Sequence, residues 1–321
     1  MSANVAVEVD AQYRALRQEA GLLDRSARRI LLVGGEDAVD FLQGQLTNDI
    51  AAIAPGQGCY AALLDRKGHM QADMRALRLT EVEIWLDTEP GSAQAVLRHL
   101  STYRVGRRVE IAELGAERAI LSLIGPAAPK LAGAGPLSPE HAHRELEVGG
   151  VSCRAVATDL GVDLICSRGE AAVVSGALVE AGAEGVGEAA AEIVRVEAGR
   201  PRFGREMSTA TIPQEAGIEG RAVSFTKGCY IGQETVARLH YKGRPNRHLR
   251  GLRLEAPVAD GDPIMLGERE VGRIGTAVVS PARGPIALAV IRREAEPGAL
   301  VAVGGNGNSA EVVELPFAAS G

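Results

Sequence analysis

The sequence predicts an α+β protein: mixed helix–strand modules followed by a C-terminal antiparallel β-barrel. Three observations carry this. In the first half the apolar residues switch between helical and alternating spacing, and turn residues join neighbouring strands, unlike the regular strand–helix rhythm of a doubly wound sheet. A second mixed stretch follows the Gly- and Pro-rich segment 125–139. Beyond Arg247 the chain becomes short runs of Val, Leu and Ile with Gly or Pro between them, the texture of a small barrel or jelly roll of about seventy residues.

Taken in order, residues 11–20 read as helical and 29–33 (RILLV) as a buried strand. Residues 36–46 place Ala38, Val39, Leu42 and Leu46 on one helical face. Residues 59–64 are extended and lead through Asp65-Arg66-Lys67-Gly68, a turn, into an alternating strand whose apolar set is Met70, Ala72, Met74, Ala76 and Leu77. A strand at 82–86 and a helix at 89–102 complete this part. The stretches 151–156 and 161–166 form a hairpin pattern, 170–182 and 188–198 read as helices, and 199–228 is rich in loop residues. We therefore expect modules over 1–114, 115–245 and 246–321. No repeat of regular period is visible.

Composition removes several classes. The apolar fraction is 46% and the charged fraction 24%, enough for sizeable cores, and the net charge of −6 argues against a nucleic-acid coat. No apolar run approaches the ~20 residues of a membrane span. The first twenty residues have no apolar stretch suited to a signal peptide. Cys59, Cys153, Cys166 and Cys229 are widely spaced, with no CxxC pair, so no zinc ribbon or self-contained cluster site is expected. Free thiols in a reducing compartment, the cytoplasm, are the simplest reading. Val33-Gly34-Gly35-Glu36 lacks the spacing of a nucleotide-binding glycine loop. The HxH pair His141 and His143 reads as solvent-facing polar residues on a strand rather than metal ligands. The basic segment 238–253 could track phosphates, but few aromatics accompany it, so direct nucleic-acid binding is not expected.

The most informative stretch is Phe225-Thr226-Lys227-Gly228-Cys229-Tyr230-Ile231-Gly232-Gln233-Glu234. Gly228 and Gly232 permit a tight backbone path, and a helix can begin near Gly232. Cys229 would then stand near a positive helix end and two residues from Lys227, both of which favour a thiolate. Cys59, Cys153 and Cys166 lie in apolar, strand-like company and read as core residues.

The segment KGCYIGQE resembles the K-G-C-[FY]-x-G-Q-E signature of the YgfZ family, relatives of the glycine-cleavage T-protein. T-proteins usually carry Phe-Ile-Gly-Arg here and no cysteine. The likeness extends to residues 21–26 (GLLDRS), 37–49 (DAVDFLQGQLTND) and 195–201 (RVEAGRP). It implies a T-protein-like fold, with modules around a central channel that holds tetrahydrofolate and the chain crossing between the first two modules. Glu197 would accept hydrogen bonds from the pterin edge. Asp73 would stand beside the reactive end of the folate, and Tyr230 and Gln233 would complete the binding residues. Phe203, Phe225, Tyr230 and Tyr241, four of the ten aromatics, fall in one 39-residue stretch suited to packing a pterin face.

The resemblance further implies an accessory role in iron–sulfur cluster assembly or repair, with effects on tRNA modification that are indirect. Partners would be assembly proteins or client enzymes. Cys229, with Lys227, would be the working group, and T-protein activity would be absent. The competing expectation is an enzyme: an aminomethyltransferase, or another one-carbon transferase, acting on the same folate.

Overall fold

A computed structural model of the chain describes residues 3–305 and 307–317. The first sheet has five antiparallel strands in the order Gln57–Leu64, Met70–Arg78, Glu83–Thr88, Arg29–Gly34 and Glu110–Glu113. Its outer face is covered by the helices Ala38–Gln45 and Pro90–Tyr103, which bring Phe41, Leu42, Val96 and Leu100 onto Ala72, Met74 and Ala76. Alternation from Ala72 to Leu77 thus sends Ala72, Met74 and Ala76 to the helices and Asp73, Arg75 and Leu77 to the opposite face.

The second sheet has six strands, ordered Glu184–Gly185, Gly21–Asp24, Arg118–Ile124, Gly161–Ser167, Val151–Ala157 and His143–Val148. Helix Ala171–Glu180 covers one side, burying Val174 and Leu178. The short N-terminal strand belongs to this sheet, between Glu184–Gly185 and Arg118–Ile124, although the next strand, Arg29–Gly34, belongs to the first.

The two sheets meet face to face. Ile30, Leu77 and Trp85 of the first pack on Ile120, Val156 and Ile165 of the second. The C-terminal sheet has seven antiparallel strands, in the order Arg269–Arg273, Pro263–Leu266, Leu300–Val303, Asn308–Val313, Arg247–Leu254, Gly284–Arg292 and Thr276–Ser280. It has its own interior of Leu252, Ile264, Ala289, Ile291 and Val312. The helix Glu188–Glu197 ties it to the rest through Arg195, whose Nη2 donates to Thr276 Oγ1 at 2.8 Å.

No described helix is long and apolar enough to cross a membrane. Cys153 and Cys166 are buried and Cys59 is partly buried, in keeping with their core reading, while Cys229 is exposed; all four thiols are free. Burial pushes the Cys59 and Cys153 thiols up to about 12.

Candidate functional site

Where the two sheets meet, apolar contact gives way to charge. The odd-numbered side chains of Met70–Arg78 change along the strand from Leu77, in the apolar contact, to Arg75 and Asp73, which line a cavity. Strand pairing sets Arg75 opposite Asp87, and Arg75 Nε donates to Asp87 Oδ2 at 2.7 Å. Arg28 Nε donates to Asp87 Oδ1 at 2.8 Å. Arg75 also reaches across to the second sheet, where Nη1 donates to Asp163 Oδ2 at 2.5 Å and Ser122 Oγ donates to Asp163 Oδ1 at 2.6 Å. Burial alone would raise the Asp87 carboxyl, but the Arg28 and Arg75 cations overcome it and hold that carboxyl below its usual range.

Asp73 is treated differently. Its Oδ2 accepts from the Tyr60 hydroxyl at 2.6 Å, while Oδ1 is shielded from solvent and has no hydrogen-bond partner in the protein. Burial pushes its carboxyl up, and the Tyr60 hydrogen bond and the Arg28 cation offset this only in part. The Tyr60 hydroxyl is itself driven well above its ordinary value by burial and by the neighbouring carboxylate. The same cavity is lined by Arg25, Arg195, Arg200, Arg202 and Arg221, and by Glu140 and His141.

Residues 47–48 anchor this wall. Thr47 Oγ1 donates to Ala222 O at 2.6 Å and accepts from Ala62 N–H at 2.8 Å. Asn48 Nδ2 donates to the carbonyls of Tyr60 (2.8 Å) and Arg221 (2.9 Å). These bonds fix the strand Gln57–Leu64 against the loop before residue 227, so the Arg221 guanidinium lies over the Tyr60 ring, 5.3 Å from its centroid.

The residues singled out from the sequence separate here. Asp73 lines the cavity; Cys229, Lys227, Tyr230, Gln233 and Glu197 are not among its lining residues. The Lys227 ammonium points inward and donates to the carbonyls of Gln43 (2.6 Å), Leu46 (2.7 Å) and Asn48 (2.9 Å), capping the end of helix Ala38–Gln45. It is thereby engaged away from the Cys229 thiol, which is exposed. Tyr230 is buried with Leu64, Met207 and Val236. Gln233 opens the helix Gln233–Lys242, with Gly232 before it at φ +84°; a Cβ on Gly232 would stand 2.4 Å from Asp65 O. Gly232 therefore lets this helix seat on the 65–68 turn, whereas a Cβ on Gly228 would meet open space.

Glu197 is 5% exposed and accepts from the hydroxyls of Tyr13, at 2.9 Å, and Ser280. It joins the N-terminal helix to the C-terminal sheet. The cause is helical geometry: Arg195 lines the cavity, and two residues on, about 200° around the helix, the side chain points away. Of the clustered aromatics, Phe225 stacks on His240 with ring centroids 3.7 Å apart, Phe203 packs with Tyr230 in the same apolar cluster, and Tyr241 is 67% exposed. The histidine pair differs from the outward-facing expectation: His143 is 3% exposed at the start of a strand, and His141 is 7% exposed in the turn before it. Among the described residues, no group of three or more His, Cys, Asp or Glu is placed to hold a metal.

Sequence reasoning missed Tyr60, Arg28, Arg75, Asp87 and Asp163. The available signal was the odd-numbered face of residues 70–78, which carries Asp73 and Arg75 together. Only Asp73 is singled out from that face, by resemblance, because nothing in the local pattern announces the second sheet that Arg75 reaches.

A mixed-sheet core joined to an antiparallel C-terminal sheet, with a buried carboxylate at the module junction, defines a T-protein fold. Residues 3–227 match the GCVT N-terminal domain family, and residues 247–318 match the glycine cleavage T-protein C-terminal barrel domain. The chain belongs to this glycine-cleavage T-protein (GCVT) family. It is 31% identical to the aminomethyltransferase of Symbiobacterium thermophilum, over 95% of this chain and 88% of that protein. It is also 31% identical to an aminomethyltransferase of Thermus thermophilus, over 95% of this chain and 89% of that protein. The crystal structure of glycine cleavage system aminomethyltransferase T from Bartonella henselae superposes with a TM-score of 0.87 at 26% identity, covering 97% of this chain and 89% of that one.

These relatives overturn three sequence-based expectations. The main functional reading, an accessory factor for iron–sulfur cluster assembly with effects on tRNA modification, gives way to the competing one, because relatives matched over nearly their full length are named as aminomethyltransferases. The expectation that T-protein activity is absent falls for the same reason. The description as a YgfZ-type iron–sulfur protein rested on eight residues, and the full-length likeness outweighs it.

Proposed function

We propose that this protein is a folate-dependent aminomethyltransferase, which takes an aminomethyl group from a lipoyl arm and passes its carbon to tetrahydrofolate. The observation that carries this reading is Asp73, a cavity-lining residue whose carboxylate is held by Tyr60 through one oxygen while the other is shielded and unpartnered. A reduced pterin is rich in N–H donors, which suits an open acceptor at that place. Arginines around the same cavity suit the carboxylates of the folate tail.

In the reaction the carbon loses its bonds to sulfur and to the amine and gains bonds to two folate nitrogens. The two protons released by those nitrogens leave with the thiol and the ammonia. Asp73 accepts a hydrogen bond from a folate N–H and passes its proton onward; its raised carboxyl makes it a better proton carrier than a surface aspartate. Tyr60 fixes the rotamer of Asp73, and Arg28, bound to Asp87, supplies positive potential behind it.

Free thiols suit a reducing compartment such as the cytoplasm. A finer placement beside YgfZ-like members of the family rests on residues 227–234 alone and assigns no separate activity. The test is turnover: a lipoyl carrier loaded with a ¹³C-aminomethyl group is mixed with the protein and tetrahydrofolate. We expect labelled methylene-tetrahydrofolate and an equal amount of ammonia. Folate binding without transfer of the labelled carbon overturns the assignment.

A further inference from the structure

Asp73 is not the only wall residue with an unmet polar atom. His141 Nδ1 is also buried without a partner and lines the same cavity; Arg25 Nε, the third such atom there, faces Glu188 at 3.8 Å. Leaving a buried polar atom unpaired is costly, so two among the residues of one cavity wall ask for an occupant. The backbone at His141 points the same way. Its φ is +69°, the one left-handed value outside glycine among the described residues, and its N–H is held by Ala157 O at 2.9 Å. A side chain held in that region is kept by its surroundings, not by its own preference.

The tautomer follows from the neighbours. Nε2 faces Glu140 Oε1 at 3.6 Å, and Arg221 Nη2 donates to that same carboxylate oxygen at 2.5 Å. An anionic oxygen on the Nε2 side draws the ring proton there, which leaves Nδ1 as a bare acceptor. Burial, with the Arg75 and Arg221 cations nearby outweighing Asp163 and Asp87, pushes the ring down to about 3, so it stays neutral across physiological pH. Two residues that line one cavity, Asp73 and His141, therefore each keep a buried acceptor without a partner. A ligand made only of acceptors, such as sulfate, satisfies neither; a reduced pterin offers several N–H groups.

We propose that His141 is a substrate-binding residue whose Nδ1 accepts a hydrogen bond from an N–H of the reduced pterin held against Asp73. This rests on the folate reading above and adds a residue to it. Titration calorimetry with tetrahydrofolate on the parent, His141→Gly and His141→Asn tests it. Glycine accepts the left-handed backbone and removes the acceptor; asparagine also tolerates that backbone and returns an amide oxygen near the same place. Expected is a loss of affinity of about tenfold in His141→Gly and less than about threefold in His141→Asn. In turnover, KM for folate should rise in His141→Gly while kcat stays within about twofold. In ¹⁵N-labelled parent protein, the His141 Nδ1 resonance should shift on saturation with tetrahydrofolate, a readout that needs no variant. An unchanged resonance, parental affinity in His141→Gly, or an asparagine variant as weak as the glycine one overturns the role of His141 and leaves the transferase reading standing. A parent that binds no tetrahydrofolate overturns both.

Discussion

Asp73 and Asp87 lie on neighbouring strands of one sheet, on the same face, and meet opposite fates. Asp87 is fully buried between Arg28 and Arg75, its carboxyl held low. Asp73 has a single partner, Tyr60, an open second oxygen and a raised carboxyl. One aspartate completes its contacts within the protein and serves structure. The other is left incomplete, the condition of a group that works on something from outside.

The comparison can be broken most sharply at Asp73. Asp73→Asn should reduce one-carbon transfer by about 10²–10⁴-fold, read as initial rate at saturating folate. Its stability should move the other way. A carboxyl raised in the folded state loses stability as pH rises through its folded value, so removing the charge should leave the variant equal to the parent or more stable by up to about 1 kcal/mol at neutral pH. That gain should vanish below the ordinary carboxylate range, where the parent side chain is protonated in both states. Urea unfolding at the two pH values checks this, and an Asp73→Asn variant that is active sinks the mechanism.

Asp87→Asn should show the reverse pattern, with stability as the main loss. It removes one carboxylate partner from each of Arg28 and Arg75, which keep Glu89 and Asp163, and should cost about 1.5–3 kcal/mol near neutrality. A carboxyl held low contributes stability above its unfolded value and loses it as pH falls through the folded one, so the gap between variant and parent should close in acid. Equal stability at pH 7 would refute the pairing argument.

The smallest effect is expected at Cys229. The thiol is exposed and outside the cavity lining, so Cys229→Ser should change folate-dependent transfer by no more than about twofold. A loss above tenfold would give the thiol a part in the chemistry.

The α+β class and the C-terminal sheet were legible because hydrophobic period and turn residues are local signals. The site was legible only in part. Asp73 could be matched by position, yet its partner Tyr60, and the Arg28 and Asp163 that line the same cavity, come from three strands or turns that meet only in the fold. Glu197 shows the limit of positional matching: its partners, Tyr13 and Ser280, lie 184 and 83 residues away. His141 stood out only as half of an HxH pair that reads as solvent-facing, since left-handed backbone in a non-glycine residue is imposed by tertiary contacts.

The strand Gly21–Asp24 has a consequence for how the chain can be made. Both its neighbours, Arg118–Ile124 and Glu184–Gly185, are synthesised long after it. On the ribosome, this early segment must wait for more than half of the polypeptide to emerge before it can pair on both sides. Until then its apolar Leu22 and Leu23 stay exposed to chaperones, and the protein is one whose beginning is finished late.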